Sequence, residues 1–297
     1  MVSTVSQDSR SRGSAAKSST ARSRGSAAHR LGRGALTAVT WVLALLFVFP
    51  VIWMVVTSFK HEVDAATDPP TFAFTPTLDQ FTTILDRGFL PYLANSAFVT
   101  VSSTLLVLLL GIPAAYALSL APIKQTANAL GFFLSTKMLP VVAAIIPLYV
   151  ISQNFRMLDN VWALIVLYAG MNMPLAVWMM RSFFLEVPRE MIEAARVDGA
   201  SLPTLLYRVI LPVVAPGIAA TALICVIFSW TEFFYAVNLT AAQAGTVPVF
   251  LVGFITSEGL FWAQLSAAAL LASLPVMIIG WFAQNHLVRG LSMGAVK

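Results

Sequence analysis

The segment Arg181–Pro212 reads RSFFLEVPREMIEAARVDGASLPTLLYRVILP and is built unlike the other segments between apolar runs. Pro188 suits the first turn of a helix, where its missing N–H costs nothing, and Glu190 and Glu193 bring negative charge to the positive end of that helix. Ala194 and Ala195 leave a shallow surface that another backbone can approach closely. Asp198-Gly199 ends the helix, glycine supplying the turn conformation. Ser201-Leu202-Pro203 is expected to start a second helix at right angles, and Leu211-Pro212 to mark re-entry into an apolar run. The chemistry open to such a unit is docking against a partner. Read from composition alone, a solvated connector fits equally well.

Two ionisable side chains, Lys137 and Glu232, fall inside apolar runs, where a charge costs about 2.5–3.5 kcal/mol on insertion scales. Lys137, in Thr136-Lys137-Met138-Leu139-Pro140, is expected to line a pathway or gate; pairing with a carbonyl or snorkelling is the alternative. Glu232 lies nearer a span end, and direct pairing of the two is not expected. Tyr149, Gln153, Asn154, Asn172, Trp178 and Tyr235 are candidates for bonding or stacking against a polyhydroxylated ligand and Trp230 for an interface or pathway aromatic, although aromatic residues near span ends also form ordinary interfacial belts. Covalent chemistry has little support. His29, His61 and His286 are scattered, no His/Cys/carboxylate group has metal spacing, and Cys225 is the single thiol. No Gly-rich loop ending in Gly-Lys-Ser or Gly-Lys-Thr is present, so this chain is not expected to hold nucleotide, metal or another cofactor itself.

The elements that must position these residues are membrane helices. Of 297 residues, 58% are hydrophobic and 10% charged, with a mean hydropathy of +0.82, which excludes an ordinary water-soluble globule. Residues 1–34, rich in Ser, Ala, Gly and Arg with a repeated Ser-Arg-Gly-Ser-Ala-Ala, are expected to be a disordered basic tail. Residues 35–57 read as a first transmembrane helix rather than a cleaved signal, and residues 58–92 as an extracytoplasmic loop. Residues 93–285 form the transmembrane core, with spans expected at Leu93–Leu120, Ala129–Ile151, Val161–Met180, Val213–Val237 and Trp262–Gln284 and the loop 181–212 between the third and fourth of them. Residues 286–297 are a C-terminal tail. The fold class is therefore all-α integral membrane with six transmembrane helices.

Placement of the 18 Lys and Arg residues orients the spans. With the N-terminus inside, the cytoplasmic segments hold seven in the tail plus Lys124, Arg181, Arg189, Arg196, Arg208, Arg289 and Lys297. The outside holds Lys60, Arg87 and Arg156. Both termini are expected in the cytoplasm, and the formal net charge of +5 is a topology signal rather than a nucleic-acid surface.

Glu193-Ala194-Ala195, three residues, Gly199, nine residues and then Val209-Ile210-Leu211-Pro212 resembles the signature loop of ABC importer permeases, Val209 replacing the usual Ile. The resemblance covers about Trp41 to Lys297. It is nearest the carbohydrate branch similar to the smaller subunit of the maltose permease, supported by Ile145-Ile146-Pro147-Leu148-Tyr149, Glu186-Val187-Pro188 and the closing Gly290–Lys297. Lys137–Val142 looks most similar to polyol permeases of the mannitol or sorbitol type. One departure is Ser229-Trp230-Thr231-Glu232, where relatives carry Asn at the position of Thr231.

The resemblance implies a type I importer permease in a prokaryotic cytoplasmic membrane. It implies a coupling helix in which Glu193, Ala194, Ala195, Asp198, Gly199, Leu211 and Pro212 engage an ATPase subunit, and a C-terminal ATPase contact through Gly290, Gly294 and Lys297. The implied partners are a second permease, two ATPase subunits that hold ATP and Mg²⁺, and an extracytoplasmic substrate-binding protein that docks on the outer face. The chain itself would move a sugar or polyol by alternating access and make or break no bond. Rival readings are a carrier driven by an ion gradient, with Lys137 and Glu232 in its path, and an importer permease for amino acids or peptides.

Overall fold

The computed structural model describes residues 36–120, 124–257 and 259–293. Two units are distinguished. The first holds a single described helix, α1 (Leu36–Ser58), apolar on every face and 23 residues long, enough to cross a bilayer. The second unit, from Thr57 onward, holds the rest. Its elements are α2 (Glu62–Ala65), α3 (Asp79–Asp86), α4 (Phe89–Leu120), α5 (Thr126–Met138), α6 (Val141–Asn154), α7 (Val161–Leu185) and α8 (Arg189–Val197). They continue with α9 (Leu202–Thr204), α10 (Leu211–Trp230), α11 (Phe234–Leu239), α12 (Val247–Val252), the short hairpin β1 (Ile255–Thr256) and β2 (Gly259–Leu260), and α13 (Trp262–Met293).

The expected third span, Ala129–Ile151, is not one straight helix. Its two halves, α5 and α6, meet at an angle of 91°. Leu139, with φ −65° and ψ 125°, and Pro140, with φ −60° and ψ 121°, are both extended. The physical reason is in the dipeptide: proline pushes the residue before it out of the helical region and cannot donate to the preceding turn. Two apolar half-helices could be a hairpin dipping into one side of the membrane or a single broken span. The neighbours decide. Phe98 meets Trp162 edge-on at 5.6 Å near the start of α4 and of α7, and Tyr116 meets Phe184 at 6.1 Å near the end of both. The two helices run in the same direction, so the chain between them must recross the bilayer, and α5–α6 is one broken span. With the five long helices this makes six among the described residues.

The expected boundary at Val213 also moves. Leu202 to Trp230 is one continuous helix of 29 residues, made of α9, a π-helical stretch Leu205–Ile210 and α10. Pro212 and Pro216 each lack the N–H that would bond the turn before; the wider π turn at Leu205–Ile210 accommodates the first, so Pro212 lies inside the helix rather than at a re-entry corner. The helix expected to begin at Ser201-Leu202-Pro203 does begin there, and it runs on unbroken into the span instead of ending before Pro212.

Inside the bundle α4 packs along α7, and α10 packs against α4, α7 and α13. Small residues set the closest approaches. Gly217 faces Phe183 so closely that an added Cβ would fall 2.3 Å from the ring. At mid-depth three helices share a buried polar knot: Asn172 Nδ2 donates to Ser229 Oγ at 2.9 Å, and Ser103 Oγ donates to the same oxygen at 3.2 Å. Such bonds hold helices together where lipid offers no competing partner.

Candidate functional site

At one end of the bundle α8 forms a ledge. Its underside is fastened: Ile192 is buried among Val187, Phe184, Leu205 and Leu206, with Met191 and Ala195 packed beside them. Its other face is open, with Glu193, Ala194, Arg196, Asp198 and Gly199 all exposed and Val197 88% exposed. The end of the helix is closed by backbone bonds, Ala200 N to Ala195 O at 2.9 Å and Gly199 N to Arg196 O at 3.1 Å, the paired pattern that requires a left-handed residue between. Gly199 supplies it, with φ +78°. The sequence therefore turns a helix outward and stops it abruptly, presenting a shallow surface with an apolar tip. Leu211 and Pro212 are within the continuous helix behind the ledge and are not part of its open face. Gly290 lies in α13, while Gly294 and Lys297 lie outside the described residues, as does the tail 1–34.

Halfway along the bundle the break between α5 and α6 opens a cavity of about 330 Å³, lined by Thr136, Lys137, Leu139, Gly170, Met171 and Tyr235 among others. Lys137 sits in the last turn of α5, where the carbonyl end of the helix favours a cation. Its Nζ donates to Met171 O at 3.2 Å and stands 5.6 Å from the centre of the Phe228 ring. Glu232 is not within a span helix, as the expected boundary at Val237 would have it. It follows the end of α10 and caps α11, its Oε1 accepting from Tyr235 N at 2.9 Å and Oε2 from Ala236 N at 3.3 Å. The buried Tyr168 hydroxyl lies beside Glu232 and Thr246 without closing a well-directed hydrogen bond to either. Lys137 and Glu232 thus satisfy their charges separately.

The remaining candidates scatter. Asn172 is fully buried in the polar knot. Trp230 is nearly buried, donates from Nε1 to Ala272 O at 3.2 Å and borders a different, apolar cavity of about 420 Å³ between α10, α12 and α13. Tyr149 is 42% exposed on α6. Of Lys137, Glu232, Asn172, Trp230 and Tyr149, only Lys137 lines the cavity at the break. Tyr235, a ligand-contact candidate by its type, shares that cavity, whereas nothing in type or spacing points to Thr136 beside Lys137.

The opposite end of the bundle is stitched by side chains bonding backbone. Glu62 accepts from Ala263 N at 3.1 Å and Gln264 N at 3.2 Å, capping α13, so the loop 58–92 is anchored rather than loose. Lys60, buried, donates to Thr71 O at 2.6 Å. The loop before α12 is gripped from two sides: Asn95 Nδ2 bonds Gln243 O at 2.8 Å and Gly245 O at 3.0 Å, and Asp159 accepts from the N–H groups of Ala241, Ala242, Gln243 and Ala244. Asp159 itself has φ +51°. Burial raises its carboxyl, but the four N–H donors outweigh that and hold it below the ordinary carboxylate value. A lowered pKa means the latch is complete above the ordinary carboxylate range and is lost as pH falls through the lowered value. Amide exchange in residues 241–244 is therefore expected to be slow near neutrality and to speed up, relative to the bundle, below about pH 4. Asp159→Ala should show the fast exchange at every pH; unchanged protection in that variant would show the latch to be ornamental.

One broken membrane span beside a mid-depth cavity, a ledge at one end and a stitched loop surface at the other describe a polytopic membrane protein. Comparison with known proteins gives its family. The chain matches the family described as "Binding-protein-dependent transport system inner membrane component" over residues 20–293. It is 40% identical over 270 residues to the probable ABC transporter permease protein y4oR of Sinorhizobium fredii, covering 90% of this chain and 97% of that one. It is 31% identical to the trehalose/maltose transport system permease protein MalG of Thermococcus litoralis, covering 86% and 94%. Among solved structures, a bacterial ABC transporter involved in the import of the acidic polysaccharide alginate shares its fold, with a TM-score of 0.70 at 24% identity over 85% of this chain and 95% of that one. The chain belongs to the binding-protein-dependent ABC importer permeases, as an inner-membrane component of type I fold.

Proposed function

We propose that this chain is one permease subunit of an ATP-driven carbohydrate importer, paired with a second, different permease, two ATPase subunits and an extracytoplasmic substrate-binding protein. The observation that carries the reading is the α8 ledge: a helix packed by its underside and open on the face that bears Glu193, Ala194, Val197 and Gly199. That face takes the ATPase subunit, and closure of the ATPase pair, which holds ATP and Mg²⁺, is transmitted through α8 to α7 and α10. The pathway then alternates between its two sides.

The ledge lies in the cytoplasm with both termini. The excess of Lys and Arg on that side, 14 against Lys60, Arg87 and Arg156, supports this orientation. The stitched loops at the other end then face the binding protein. Likeness to a trehalose/maltose permease and the Lys137–Val142 stretch support a sugar or polyol as cargo.

Affinity purification from the native membrane in mild detergent tests this reading. Recovery of an ATPase and a second permease, with ATP hydrolysis sensitive to vanadate, is expected. A homodimer without ATPase activity, under conditions that keep other importers intact, would instead favour a carrier driven by an ion gradient.

A further inference from the structure

Three features converge on the break between α5 and α6. Extended backbone at Leu139 and Pro140 interrupts a span, which membrane proteins tolerate where the interruption is buried in protein or lines a watery cavity. A cavity of about 330 Å³ is found there, within the range of about 300–1,000 Å³ that holds small ligands. Lys137 borders it as an exposed cation, and no carboxylate is among the described residues that line it. An ammonium has three N–H donors, and the Met171 carbonyl takes one. The remainder can serve oxygen acceptors entering the cavity, close to Tyr235 and Thr136.

We infer that this break is a substrate subsite contributed by this subunit, taking one sugar- or polyol-sized unit whose hydroxyl oxygens accept from Lys137. The inference rests on the importer reading above. It assigns to this chain a direct contact with the cargo, rather than leaving recognition to the other permease. It also explains why the charge of Lys137 is held by one carbonyl and an aromatic face rather than by an acid: a salt bridge would compete with the hydroxyls, whereas a carbonyl and a ring are exchanged at little cost.

The test uses the assembled complex in membrane vesicles. Cys225 is the only cysteine and is buried, so Cys225→Ser gives a background for Ala144→Cys on the cavity wall. Two thiol reagents of similar size are compared, sulfonatoethyl and trimethylammonioethyl methanethiosulfonate. Each rate is divided by that reagent's rate with a free thiol, since the thiolate itself favours the cationic reagent. Both should react in the resting or the vanadate-trapped state, the anionic one about 5–10-fold faster on that scale, as expected beside one partly screened cation. Adding Lys137→Met should bring the ratio near one, while Lys137→Arg keeps it. A mixture of glucose, mannitol, sorbitol, maltose and trehalose should slow the reaction at least threefold.

An unreactive Ala144→Cys, a preference that survives Lys137→Met, or no protection by the sugars would overturn the subsite while leaving an ATP-hydrolysing importer intact. Dissociation of the complex by Lys137→Met but not by Lys137→Arg would make Lys137 a subunit contact and overturn it as well. Failure of any ATPase to assemble with the chain would instead strike the importer reading beneath it.

Discussion

Gly199→Val is expected to reduce transport at least tenfold while the protein still inserts and assembles. Gly199 sits at φ +78° and nothing lies within 4 Å of where its Cβ would be, so the effect comes from the backbone and not from a clash. A left-handed conformation costs an L-residue about 1–2 kcal/mol, and a β-branched one is worse placed. The variant can relieve that strain only by releasing the two bonds that end α8, which unwinds the face carrying Ala194, Val197 and Asp198. A shift of about 1.4 kcal/mol away from the docking-competent ledge is a tenfold loss. Gly199→Asn should recover much of the activity, since asparagine tolerates this conformation. Equal damage from Asn and Val would point to a need for bare backbone at the partner surface. Normal uptake by Gly199→Val would remove α8 from the coupling route.

The second large effect is one of packing. Gly217→Leu drives a side chain into Phe183, whose ring carbons stand 2.3, 2.4 and 2.7 Å from an ideal Cβ. Phe183 packs beside a core that includes Phe184, Ile210 and Val214, so the ring cannot swing freely. Overpacking of this kind costs about 1–3 kcal/mol and more when backbones must part. The expected result is a marked drop in the unfolding midpoint of the purified protein and poor yield of folded chain. Gly131→Leu is the control: nothing lies within 4 Å of its Cβ, and it should be close to neutral. Similar losses at both positions would show that the helix contact at Gly217 is not tight.

The ledge could be read from the sequence because it is local. Pro188, the two glutamates, two alanines and Asp198-Gly199 fix start, charge and stop within a dozen residues, and local rules suffice for each. Its continuation could not. Hydropathy sees Pro212 as a boundary, but the helix passes through it by widening to a π turn, a choice set by packing of Leu205, Leu206 and Ile210. Likewise a proline such as Pro140 signals an interruption by its type alone, yet a right-angle break and the cavity it opens depend on how α7 and α10 stand beside it.

The pathway candidates show the same limit more sharply. Lys137 was picked out by the cost of its charge, a property of the residue itself. Asn172 and Trp230 were picked out by type, and each is occupied by a helix contact with Ser229 or Ala272, far away in sequence. Asp159 was missed for the complementary reason. Asp159-Asn160 signals only a turn, and the backbone it grips lies 82 to 85 residues downstream.

The most direct measurement of the central claim is a cross-link from the open face of α8. In the Cys225→Ser background, Ala194→Cys should form a disulfide or short thiol cross-link to one of a series of cysteines introduced over the surface of the co-purifying ATPase subunit. The link should form in the assembled importer and stop uptake until reduced. An Ala194→Cys that stays freely labelled by soluble reagents in an ATP-hydrolysing complex, with uptake unaffected by labelling, would contradict the assignment of this ledge as the coupling surface.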